Sequence, residues 1–238
     1  MASRSGEVDI SLRDQVRNDL LLDVLGKPEQ PSMLLDVGCG PGVVAELLEK
    51  LGYEVVGVDL NRDDVYAAKG RGVSHVMVAD AYHLPLRGQA FKSAFTGDIL
   101  EHLLEPERML RETRRVLEGG GVLTLTVPNT GFYGYRLYYL FTGRIFPTED
   151  TLDLPPWRWE HIRFYDRPII QALLDEVGFR VERFYGIPLS NYGAKQIYRT
   201  GGRMLKASIF SLRLLQALLP MLHNLTTHLF VKATKTRD

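Results

Sequence analysis

Leu34-Leu35-Asp36-Val37-Gly38-Cys39-Gly40-Pro41-Gly42 closes an apolar run of buried-strand type that begins at Met33, and it leads into the helical run Val43 to Leu51. The unit is strand, glycine-rich turn, helix. Working outward, Tyr53 to Val58 reads as a second strand ending in Asp59, and Arg62 to Lys69 as a second helix stopped at Gly70. Val73 to Val78 is a third strand ending near Asp80, and Phe91 to Thr96 a fourth. Pro106 to Leu117 is a helix and Val122 to Val127 a fifth strand. This alternation predicts an α/β, doubly wound fold with parallel pairing and helices on both sheet faces. Ahead of it, Val16, Leu20, Leu21, Val24 and Leu25 recur at helical spacing. Beyond it, Arg167 to Val177 is a helix closed by Gly178, Phe179 to Tyr185 a strand, Lys195 to Leu222 a long helical stretch and His228 to Ala233 the last strand.

In such a sheet, ligands bind beyond the carboxyl ends of the strands, where the residues of chemical interest fall. Glycines at the first turn allow close backbone approach, and the free N–H groups of the following helix favour a carboxylate or phosphate. Asp59 can accept hydrogen bonds from both hydroxyls of a ribose, with Leu60 beside it on the cofactor side. Asp80 and Ala81 end strand three where an adenine would fall, and Asp98 follows strand four. A nucleoside is the expected ligand. The competing readings are plain ones: glycines that only build a turn, Asp36 as a cap, Asp80 satisfying loop N–H groups, and Cys39 as a small residue tolerated in the turn.

With those residues in view, the chain resembles the class I S-adenosylmethionine-dependent methyltransferases, in particular the ubiquinone-type O-methyltransferase branch. LLDVGCGPG resembles that family's first motif, VVGVDLN its second, VMVADAYHLPL its third, and FTGDILEHLLEP with LEGGGVLTLTVPN its fourth and fifth. The likeness covers Leu34 to Asn129, with a weaker echo in HIRFYDRPIIQALLDEVGFRVERFYG. It implies a mostly parallel seven-stranded, Rossmann-like sheet with an antiparallel final strand, a role open to His228 to Ala233, and S-adenosyl-L-methionine as cofactor. By the same resemblance Gly38, Cys39, Gly40 and Gly42 line the methionine end, Asp36 orients the loop or receives the cofactor's ammonium, Asp59 holds the ribose, and Asp80 with Ala81 contacts the adenine. A nicotinamide dehydrogenase would expect G-x-G-x-x-G, whereas this turn spaces its glycines as Gly38-x-Gly40-x-Gly42. A regulatory module that binds the cofactor without turnover remains the alternative.

Methyl transfer from a sulfonium is a displacement that requires alignment of a nucleophile and, where needed, removal of its proton. His161, Glu101 and His102 are the candidates, with His161 and His102 as the catalytic expectation. Some ubiquinone-type relatives use an acidic-acidic-histidine set for magnesium. Here Asp98 stands in place of a longer glutamate beside Glu101 and His102, and no metal is assigned. The preferred reading instead starts a helix at Glu101-His102, ahead of Pro106 and beside the cofactor. Residues 131–165 form an aromatic-rich insertion holding Phe132, Tyr133, Tyr135, Tyr138, Tyr139, Phe141, Phe146, Trp157 and Trp159, suited either to lining a small-molecule acceptor pocket or to a satellite core. Residues 193–224 form a helical insertion. In it Lys195, Arg199, Arg203, Lys206 and Arg213 make a basic stripe for a peripheral membrane contact through 195–222, or for a solvated face against the domain or a homodimer partner.

The 238 residues suit one α/β domain with insertions, and 45% apolar with 24% charged residues is ordinary globular usage. Lys+Arg and Asp+Glu balance at 29 each, so no global field recruits nucleic acid. The single cysteine excludes an intrachain disulfide and, without a recognisable signal or spanning segment, points to the cytoplasm.

Overall fold

The computed structural model describes residues 21, 24–28, 32–143, 160–187 and 226–236. Seven strands form one sheet: β1 (Ser32–Val37), β2 (Tyr53–Asp59), β3 (His75–Val78), β4 (Phe91–Gly97), β5 (Leu117–Pro128), β6 (Phe179–Ile187) and β7 (His228–Lys235). Their order is β3-β2-β1-β4-β5-β7-β6. The first five pair in parallel, while β7 lies antiparallel between β5 and β6. Strand order reverses between β1 and β4, so the carboxyl ends of β1, β2, β3 and β4 surround one crevice.

Successive residues of a strand point to opposite faces, and β1 shows the consequence. Leu34 packs on one face with Phe95, Phe230, and Ala45 and Leu48 of helix α1 (Val43–Lys50) and Ala68 of α2 (Arg62–Gly70). Leu35 and Val37 pack on the other with Met109, Leu110 and Val116 of α3 (Pro106–Val116) and Ile170 and Leu174 of α5 (Arg167–Glu176). Leu34 and Leu35 are both fully buried, so the central strand reads as a continuous apolar run without alternation. Phe91, Phe95, Phe179 and Phe230 are among the largest fully buried side chains, each contributing roughly 1.5–3 kcal/mol by leaving water.

Three expectations change. Strand β3 begins at His75, because Val73 is spent on the preceding turn, where its N–H donates to the Ala68 carbonyl at 3.2 Å and its side chain lies under Gly42. Glu101-His102 does not open a helix. Leu100–His102 is a separate 3₁₀ turn, and α3 starts afresh at Pro106, whose ring lacks the N–H that a continuing helix would need. Helix α4 (Tyr133–Thr142) was not foreseen in the aromatic segment, and it has no buried residue. Leu137, Tyr139, Leu140 and Phe141 are exposed. Phe146, Trp157, Trp159 and the basic stripe of 195–222 lie outside the described residues. No helix among the described residues is long and apolar enough to cross a membrane.

Candidate functional site

The turn after β1 is tied to β2 from its first residues. Gly38 and Cys39 both donate their N–H groups to the Val58 carbonyl, at 2.8 and 3.0 Å. Gly40 then donates to Asp59 Oδ2 at 2.8 Å, and Asn61 donates to Asp59 Oδ1 at 2.8 Å. A carboxylate has about four lone-pair sites, so each Asp59 oxygen keeps acceptor capacity after these bonds. The two backbone bonds thus fix the carboxylate in place without using it up.

The three glycines of the turn have positive φ but different surroundings. At Gly40, φ +50°, an added Cβ would meet nothing within 4 Å. At Gly38, φ +74°, it would meet Ile99 Cδ1 at 2.6 Å, and at Gly42, φ +79°, Ala68 Cβ at 2.6 Å. Gly40 therefore faces open space beside Asp59, Gly38 admits Ile99 against the loop, and Gly42 lets α1 sit close on α2. Ile99 is a loop-positioning residue that sequence reasoning did not single out. No side chain caps α1, whose Gly42 N-cap leaves the helix-start N–H groups facing the turn, as a carboxylate ligand requires.

The remaining cofactor-side candidates gather at neighbouring strand ends. Asp36 is 1% exposed in β1, and Leu60, beside Asp59, is 73% exposed. The Ala79 N–H donates to the Asp59 carbonyl at 3.0 Å, which brings Asp80 and the half-buried Ala81 alongside. Asp80 Oδ1 accepts from the Tyr82 N–H at 2.8 Å, so it also plays the turn-forming part considered for it. Asp98 follows at the end of β4. With φ 51° it accepts from Thr126 Oγ1 at 3.0 Å while its N–H donates to the Thr126 carbonyl, anchoring the end of β4 to β5. Burial, with Asp36 and Asp59 nearby, pushes the Cys39 thiol up to about 12, which removes it as a nucleophile near neutrality.

On the acceptor side the structure joins residues some sixty apart. Ile162 and Arg163 donate their N–H groups to the Glu101 carbonyl at 2.9 and 3.1 Å, clamping the segment that carries His161 onto the 3₁₀ turn. His102 Nδ1 contacts the Glu160 carbonyl at 3.2 Å, and the His102 and His161 rings stand edge to face at 4.7 Å between centroids. Glu101 is 1% exposed. Its carboxylate and one nitrogen of each imidazole lie within 4.8 Å of one another. That is a set able to hold a proton or a small cation. Among the described residues, Asp98 is not part of that set. Beneath the set, burial and the Glu101 carboxylate push the Tyr165 hydroxyl above its ordinary range; it donates to the Leu100 carbonyl at 3.2 Å.

Asn129 was also missed. Fully buried, it donates from Nδ2 to the Thr226 carbonyl at 2.8 Å and accepts from the Gly131 N–H at 2.9 Å, tying the end of β5 to the start of β7. The only hint in sequence was its place after the fifth strand.

Residues 35–125 match the family model described as a methyltransferase domain. The chain is 24% identical over 193 residues to the human mitochondrial ubiquinone biosynthesis O-methyltransferase, covering 76% of this chain and 51% of that protein. It is 33% identical over 97 residues to a probable S-adenosylmethionine-dependent methyltransferase of Mycobacterium tuberculosis, covering 40% of this chain and 35% of the other. The chain spans about half the length of the first curated relatives it matches. Among solved structures, a putative methyltransferase from Bacillus halodurans superposes with TM-score 0.63 at 19% identity, covering 92% of this chain and 99% of that one. The [4+2]-cyclase SpnF superposes with TM-score 0.62 at 20% identity, covering 95% and 83%.

Proposed function

We propose that this chain, which carries a methyltransferase domain on the class I Rossmann-like fold, transfers the methyl group of S-adenosyl-L-methionine to a small-molecule acceptor. The observation that carries the reading is the bond from the Gly40 N–H to Asp59 Oδ2. It joins the open glycine backbone to the carboxylate at the end of the next strand, so one rigid unit offers amide donors for the methionine end and acceptors for the ribose. Leu60 supplies an apolar side chain for the adenine face, and Asp80 with Ala81 its edge. The glycine spacing counts against a dinucleotide.

On the other side, the set of Glu101, His102 and His161 takes the acceptor's proton. His161 is the base and His102 its edge-on neighbour, and the buried Glu101 carboxylate favours the imidazolium that forms. The methyl then passes to oxygen, nitrogen or carbon in a direct displacement, leaving S-adenosylhomocysteine. The lone cysteine and the balanced charge support a cytoplasmic enzyme.

Calorimetric titration with S-adenosylhomocysteine and with a nicotinamide dinucleotide tests the cofactor; binding of only the dinucleotide overturns it. A fold that also serves a cyclase makes turnover a separate question. Transfer of label from methyl-labelled cofactor to any acceptor answers it, and tight S-adenosylhomocysteine binding with no transfer would favour a regulatory module. With a transferring acceptor in hand, His161→Ala is expected to lower kcat by about 10²–10⁴-fold while S-adenosylhomocysteine affinity holds. An equal loss in affinity would make His161 a cofactor residue.

A further inference from the structure

Glu101, His102 and His161 bring two imidazoles and one carboxylate to one place. Glu101 and His102 are consecutive in the 3₁₀ turn Leu100–His102, and His161 arrives from a segment some sixty residues later. Glu101 is buried, His161 half-buried and His102 exposed, so the donors run from the core to solvent and a small ion can enter past His102. One ligand atom of each residue lies within 4.8 Å of the others. Donors held about 2.0–2.2 Å from a tetrahedral zinc stand about 3.3–3.6 Å apart, so rotations of the two imidazoles that close about 1–1.5 Å complete the set.

Two features prepare these donors. The segment that carries His161 is docked on the turn: the Ile162 and Arg163 N–H groups donate to the Glu101 carbonyl, Arg163 Nη2 to the Leu104 carbonyl at 2.6 Å, and the Tyr165 hydroxyl to the Leu100 carbonyl at 3.2 Å. The second feature is a tautomer. A carbonyl only accepts, so the 3.2 Å contact of His102 Nδ1 with the Glu160 carbonyl places the imidazole hydrogen on Nδ1 and the lone pair on Nε2. Metal-ligating histidines are held in this way, with the second ring nitrogen donating to a carbonyl or carboxylate.

Two imidazoles and a carboxylate make a softer set than two carboxylates and an imidazole. Magnesium takes oxygen donors, whereas zinc takes nitrogen and carboxylate oxygen, often from three residues with the fourth position open. Asp98, which would make the set acidic-acidic-histidine, is not part of it among the described residues, and its Oδ1 accepts from Thr126 Oγ1 at 3.0 Å. We propose that Glu101, His102 and His161 bind a divalent cation of the zinc class, in place of the magnesium set of some ubiquinone-type relatives. The proposal goes beyond the methyl-transfer reading and does not depend on it. A nitrogen that holds the cation cannot take a proton, so zinc and the use of His161 as a base exclude each other.

The experiment is calorimetric titration of the whole protein with zinc chloride and with magnesium chloride in a buffer that does not bind metal, on the wild type, His161→Ala, His102→Ala, Asp98→Asn and His83→Ala, with circular dichroism to check the fold. Zinc is expected to bind about a hundredfold or more tighter than magnesium. Each of His161→Ala and His102→Ala should weaken zinc about tenfold or more, and the exposed His102 keeps the test open if the other variant misfolds. Asp98→Asn should bind zinc as the wild type does. So should His83→Ala, which removes a surface histidine beside Asp80. Magnesium binding as tightly as zinc, or Asp98→Asn losing zinc as His161→Ala does, would overturn the proposal in favour of a hard-ion set. Zinc affinity unchanged in both the His161 and the His102 variants would overturn it as binding elsewhere on the surface. Titration of the same preparations with S-adenosylhomocysteine reads the cofactor site separately: its failure there leaves the zinc result standing, and zinc failure leaves the cofactor reading untouched.

Discussion

Asp59→Ala is expected to weaken S-adenosylhomocysteine binding by about 1–3 kcal/mol while the chain stays folded. Two losses act together. The ribose hydroxyls lose an ionised acceptor, and the Gly40 and Asn61 N–H groups lose the carboxylate that now fixes them at 2.8 Å each. Asp59 is only partly shielded at the end of β2, so the deletion leaves solvent-accessible donors and no buried cavity. Isothermal titration gives the affinity and circular dichroism the fold. Asp59→Asn keeps an acceptor oxygen and should fall between the two. Unchanged affinity in the alanine variant would place the ribose elsewhere.

Gly42→Ala is expected to cost about 2–4 kcal/mol of stability, the sum of a left-handed backbone conformation and an overpacked contact. The new methyl would stand 2.6 Å from Ala68 Cβ and 2.8 Å from its Cα, and the backbone atom cannot swing aside as a flexible side chain can. Helices α1 and α2 would have to part. Gly40→Ala shares the positive φ but meets nothing within 4 Å, so it should destabilise by only about 1–2 kcal/mol. Its methyl enters the crevice and should harm cofactor binding more than folding. Denaturant midpoints for the two variants, with S-adenosylhomocysteine titrations beside them, separate helix packing from ligand contact. Equal midpoints would refute the division of labour between these glycines.

What the sequence disclosed was local. The run from Met33 to Gly42 announces a buried strand followed by a turn, because strand burial and positive φ each demand particular residue types in consecutive positions. Asp59 was legible for the same reason, as the polar residue ending an apolar run. Helix α4 was not, since its aromatic residues show no buried stripe and the structure leaves none of them buried. The meeting of Glu101 and His102 with His161 depends on backbone bonds between segments some sixty residues apart, which no spacing rule encodes. Asp98 was read as a cofactor residue from its place after strand four. Its tether to Thr126 arises from the β4–β5 register, where Gly97 lies opposite Thr126.

The placement of β7 bears on how the chain is made. Among the described residues β6 precedes it in sequence yet pairs with no strand but β7, and β7 also fills the side of β5 that faces away from β4. During synthesis β6 therefore leaves the ribosome before the strand it pairs with, and β5 presents unpaired N–H and C=O groups until some forty more residues have followed. A nascent polypeptide stalled ahead of His228 would hold its glycine turn and Asp59 in a half-built sheet with an open, apolar border, the kind of intermediate that chaperones capture.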